Sequence, residues 1–165
     1  FADYFEPGGQ LMYRISFEDD EAVSVTWKGK NNEFVEPVLI NKDTVKVTTY
    51  YASGSKSAEL IYVGGNRHGV QTNYFPNGKV FEIRPFVHDL LSGKEISYRE
   101  NGNIFTETDY LDGTKNGVCV IYNANGTPSV KTEYYFGVRH GIQIYYNEKG
   151  QIIQEYHFYA DRMLE

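Results

Sequence analysis

Few side chains in this sequence have the types and spacing to do chemistry. Glu82, Arg84 and Lys94 bring one carboxylate and two cations within thirteen residues, a grouping that suits either an ion-pair network or the capture of a charged ligand. The aromatics Phe75, Phe81, Phe105, Tyr135 and Tyr145 offer flat apolar surface of the sort that holds a partner protein or a sugar ring. Four histidines, His68, His88, His140 and His157, could in principle ligate a metal. No carboxylate recurs beside them, however, and they are expected to be loop polarity rather than a metal centre. Cys119 is alone, which excludes an internal disulfide and a cysteine-based zinc site. There is no Gly-x-Ser-x-Gly, no phosphate-cradling glycine loop and no His-Glu-x-x-His. The residues therefore predict no catalytic centre, no cofactor and no metal.

The elements that would position these side chains are set by a strict period. Gly54, Gly78, Gly102, Gly126 and Gly150 stand 24 residues apart. A tyrosine precedes each by four (Tyr50, Tyr74, Tyr98, Tyr122, Tyr146), and an aromatic follows each by eight (Tyr62, Phe86, Tyr110, Tyr134, Phe158). A second turn-forming residue comes eleven after (Gly65, Asp89, Gly113, Gly137, Asp161). A further glycine comes fifteen after in four copies (Gly69, Gly93, Gly117, Gly141), with Glu165 in its place in the last. His68 and His140 share one offset in this frame. Two turn signals per unit imply two strands per unit, and short strands joined by tight turns make an antiparallel meander. The expected fold is all-β: tandem β-hairpins in one elongated, curved sheet of roughly twelve to fourteen strands, with no helix longer than a turn.

Parity predicts the faces. A two-residue Asn-Gly loop would put the tyrosine at minus four and the aromatic at plus eight on opposite faces and leave neither face apolar. A three-residue loop, a type I turn with glycine in the left-handed position, shifts the register by one. That register gathers Tyr98, Ile96, Ile104, Tyr110, Val118, Val120, Tyr122, Val130 and Tyr134 on a buried face. It turns Glu107, Asp109, Lys131, Glu133, Glu155 and His157 outward. Glu82, Arg84 and Lys94 then fall at inward offsets, and Phe75, Phe81, Phe105, Tyr135 and Tyr145 at outward ones.

Residues 1 to 45 follow the period loosely and read as divergent β repeats that cap the array. Residues 46 to 165 hold five regular hairpins, the whole forming one continuous domain. A net charge of −6 and the lack of any basic stripe argue against nucleic acid and against an anionic membrane surface as partners. The sequence opens at Phe1 with no long apolar run, which favours a trimmed, exported chain in the periplasm, at the cell surface or secreted.

The stretch from 50 to 161 resembles the MORN-variant repeat family. Its units share a Tyr-x-x-Asn-Gly start, read here as Tyr98-Arg99-Glu100-Asn101-Gly102, and a Tyr-x-x-Gly-x-x-x-Gly continuation, read as Tyr110-Leu111-Asp112-Gly113-Thr114-Lys115-Asn116-Gly117. The resemblance implies a hairpin-repeat fold and a mostly bacterial family, some of whose members are labelled antitoxins. The function expected is a non-enzymatic scaffold that binds a protein partner or another copy of itself, with pairing along residues 151 to 159. The alternatives are a carbohydrate- or small-ligand-binding envelope protein and an antitoxin-like neutraliser of a toxin.

Overall fold

In a computed structural model that describes residues 1–5, 9 and 11–164, the chain is all-β and built from antiparallel hairpins that do not close into a barrel. Glu165 lies outside the described residues. Among those residues there are seventeen strands, four of them only two residues long. Two compact units are present: residues 1–80 with 86–89, and residues 81–85 with 90–165.

In the first unit, β1 (Ala2–Phe5), β2 (Leu11–Glu18), β3 (Glu21–Trp27) and β4 (Val38–Leu39) form a four-stranded sheet in chain order. The expectation of a single sheet is corrected here, because these strands do not extend the repeat array. They pack on β5 (Thr44–Tyr50) and β6 (Lys56–Val63), which belong to another sheet together with β7 (Asn66–Arg67) and β8 (Gly69–Tyr74). Alternation explains the layering. Tyr13, Ile15 and Val25 from one sheet meet Val47, Ala58, Leu60 and Tyr62 from the other, with Ile40 completing a closed apolar core. Thr49 and Ser57 are fully buried as well, and their hydroxyls pair at 2.7 Å.

β9 (Val80–Val87) is divided between the units. The second unit continues with β10 (Leu90–Leu91), β11 (Gly93–Tyr98), β12 (Ile104–Leu111), β13 (Thr114–Tyr122), β14 (Pro128–Tyr135), β15 (Val138–Tyr146), β16 (Ile152–Tyr159) and β17 (Arg162–Met163). From β11 onward each strand pairs antiparallel with the next. Two turn types alternate along this meander.

The Asn-Gly loop is the three-residue, bulged form. Gly102 N donates to Arg99 O at 2.8 Å while Arg99 N donates to Asn103 O at 2.8 Å, and φ at Gly102 is +94°. The same bond pair recurs around Gly54, Gly78, Gly126 and Gly150, each with positive φ. Asn77, Asn101 and Asn125 tighten their loops by accepting, through Oδ1, from the N–H two residues on, each at 3.0 Å. The other turn is a two-residue type I′ turn, as at Asp112-Gly113, with φ of +48° and +79°.

The face assignment is overturned. Tyr98 pairs with Ile104 but Ser97 pairs with Thr106, so Phe105 is an extra residue in β12. The same slip occurs at Ser57, Ser129 and Ile153, three residues after their glycines. Each hairpin thus holds two inserted residues, the loop bulge and this one, and two insertions restore the original parity. Tyr98, Ile96, Val118, Val120 and Tyr122 consequently share a face with Glu107, Asp109, Lys131 and Glu133. Tyr110, Val130 and Tyr134 lie on the opposite face, beside Thr108 and Thr132. The physical reason is that neither face is simply apolar. Tyr122 donates its hydroxyl to Glu107 at 2.9 Å, so tyrosine and carboxylate belong together.

Candidate interaction surface

The charged grouping read from the sequence is split by the sheet. Glu82 pairs in register with Ser97, and Arg84 reaches Glu95 at 3.0 Å and Glu82 at 3.8 Å on that face. Lys94, one position along β11 from Glu95, points to the opposite face and meets Asp109 at 2.9 Å. Burial works against the Asp109 charge, yet Lys94 and the Val118 N–H, which donates to it at 3.0 Å, hold its pKa below the ordinary carboxylate value. Lys94 is correspondingly raised, first by its bond to Asp109. Burial, then Glu95, raises the Tyr110 pKa. Burial, then Glu107, pushes Tyr122 up to about 12. Every one of these charges has a structural partner.

The aromatic positions do not make one patch either. Phe81 and Phe105 are exposed, and Phe105 owes its projection to the inserted residue; the Arg99 guanidinium lies 4.3 Å from its ring centre. Tyr145 is half-buried against Tyr156, on the face opposite Tyr135. Phase along the strand decides this outcome, and Phe75 sits half-buried in the first unit.

A recurring offset marks the type I′ turns instead. The residue nine after each repeat glycine is apolar and exposed in all five copies: Val63, Val87, Leu111, Tyr135 and Tyr159. In the second unit Tyr135 is 57% and Tyr159 63% exposed, and His140 stands between them with ring centres 5.7 and 4.9 Å away. Phe136 is 58% exposed and occupies the first turn position at φ +44°, a left-handed conformation that a bulky side chain adopts only at a cost. Its ring meets Tyr135 edge-on at 4.7 Å. Tyr135 matches an outward expectation from the sequence, whereas Val63, Val87 and Leu111 share its offset of nine without any expectation of a surface.

The turns are tied from one repeat to the next. Gly113 N donates to Leu91 O and Gly137 N to Lys115 O, each at 2.8 Å. Twice the tie becomes a bracket. Arg67 N and Nε both donate to Asp89 Oδ1, at 3.0 and 2.8 Å, Asp89 N returns a bond to Arg67 O at 3.0 Å, and the guanidinium lies 4.2 Å from the Phe86 ring centre. Arg139 repeats this with Asp161 and Phe158: 3.0 and 2.9 Å for the two donated bonds, 2.9 Å for the return and 4.2 Å to the ring. The Arg139 bonds, side chain first, lower the Asp161 pKa.

These two bracketed stretches are the ones that a family model recognises. The model of the MORN repeat variant matches residues 67–88 and 139–159. Those two stretches are MORN-variant repeats. The intervening repeats keep the period and the turns but replace the bracket's arginine and aspartate with Leu91 and Gly113, then with Lys115 and Gly137. No curated protein matches the chain. Among the described residues no three of His, Cys, Asp and Glu converge as a metal-ligand group, and no helix is long and apolar enough to cross a membrane.

Proposed function

We propose that this chain is a non-enzymatic MORN-variant scaffold whose type I′ turn edge binds a protein partner. The exposed Leu111, Tyr135 and Tyr159 column, with Phe136 held at positive φ beside it, carries the reading. Exposed aromatics of this sort are enriched at the energetic centres of protein interfaces. A repeat array suits the role because it offers one chemical feature at regular intervals. Binding of a sugar is less favoured, because Tyr135 and Phe136 meet at 86° and give no common stacking plane. Toxin neutralisation would be one form of the same partner binding.

The test compares the intact chain with a Tyr135→Ser, Phe136→Ser, Tyr159→Ser variant as immobilised baits in extracts of the source organism. The variant is expected to lose a defined set of bound polypeptides while its circular dichroism is unchanged. Equal capture by both baits would move the function away from this edge.

A further inference from the structure

We propose that His68 and His88 form a two-imidazole site for a borderline transition-metal ion such as Zn²⁺, Ni²⁺ or Cu²⁺. Their ring centres lie 5.5 Å apart with the planes at 64°. Metal–nitrogen bonds of about 2.0 to 2.1 Å place the centres of two imidazoles on one tetrahedral ion roughly 5 Å apart, close to the separation these two rings have. Two ligands leave the remaining positions to water, as suits a place where, among the described residues, no third His, Cys, Asp or Glu converges.

The rings are held ready by the bracket between them. His68 directly follows Arg67 and His88 directly precedes Asp89, and those two residues are tied by four hydrogen bonds, one of which is also their ion pair. The His68 N–H is itself anchored to Ile61 O at 2.9 Å. His88 takes the first position of its type I′ turn at φ +47°, and its side chain is exposed. Pre-organisation of both ligand backbones removes much of the entropy cost of closing a site.

The chain contains its own control. The second bracket has His140 where the first has His68, but Ala160 stands where the first has His88. His140 instead contacts Tyr159 and Tyr135. One ion per chain is therefore expected, not two.

Isothermal titration of the chain with NiCl₂ and ZnCl₂ should give one site. His68→Ala and His88→Ala should each weaken it on the order of tenfold or more, since each removes half of the ligand set. His140→Ala and His157→Ala should leave it unchanged. In a chain labelled with ¹⁵N-histidine, substoichiometric Cu²⁺ should broaden two of the four imidazole signals. Binding by the intact chain no tighter than by the His68→Ala, His88→Ala double variant would overturn the proposal. So would an equal loss in His140→Ala, or broadening of His140 and His157 ahead of the other two.

Discussion

Glu59 shows how single side chains on the sheet are held. It accepts from Lys56 Nζ at 2.8 Å and from the Tyr74 hydroxyl, and these bonds, Lys56 first, lower its pKa below the ordinary 4.5. A carboxylate with a depressed folded pKa contributes stability that is complete above its unfolded value and is lost as pH falls through the folded one. The chain should therefore weaken below about pH 4.5, and Glu59→Gln should flatten that acid limb. Urea midpoints measured at pH 7, 4 and 3 would check this. An unchanged slope in the variant would show that the tyrosine–carboxylate pairing does not couple to folding.

At the scale of the hairpin, two kinds of glycine have different jobs. Gly102 has φ +94° and nothing within 4 Å of where a Cβ would stand, so Gly102→Val should cost about 1 to 2 kcal/mol from the left-handed backbone alone. Gly117 has φ +115°, and a Cβ there would stand 2.9 Å from Asp109 Cβ and 3.0 Å from its Oδ2. Substitution at Gly117 must also disturb the carboxylate that accepts from Val118 N, which adds about 1 to 3 kcal/mol. Urea unfolding should rank Gly117→Val clearly below Gly102→Val. The reverse order would mean that the Asp109 contact yields easily.

Across the whole molecule, burial is uneven. The first unit has a two-sheet core in which Leu60, Val47 and Val25 are fully buried, whereas the second places many of its apolar side chains, Ile121 among them, in partial contact with water. Leu60→Ala should accordingly cost about 2 to 5 kcal/mol, while Ile121→Ala should stay near 0.5 kcal/mol. Chemical denaturation followed by tyrosine fluorescence and circular dichroism would measure both. Comparable losses would show that stability comes from the ladder rather than from the apolar core.

The sequence by itself determined the period, the all-β class, the positive φ of the repeat glycines and the three-residue loop, because turn chemistry acts over four or five neighbouring residues. It also pointed to the MORN-variant family, whose model matches residues 67–88 and 139–159 rather than the Tyr98 and Tyr110 motifs on which the resemblance rests. Only the tertiary structure decided the faces: the inserted residues at Ser57, Phe105, Ser129 and Ile153 carry no local signature, and one such residue flips every side chain beyond it. No insertion separates Lys94 from Glu82 and Arg84: across the two-residue His88–Asp89 turn, Lys94 falls one position from Glu95, the residue that Arg84 meets. Tyr145 likewise falls on the face opposite Tyr135 across the Phe136–Gly137 turn. The four-stranded sheet of the first unit was hidden for a related reason, since which layer a strand joins depends on partners distant in the chain. The Arg67–Asp89 and His68–His88 pairings lay in plain view as letters, 22 and 20 residues apart. They became neighbours only because the His88–Asp89 turn docks on the strand that follows the preceding type I′ turn, a contact between successive repeats that no single repeat encodes.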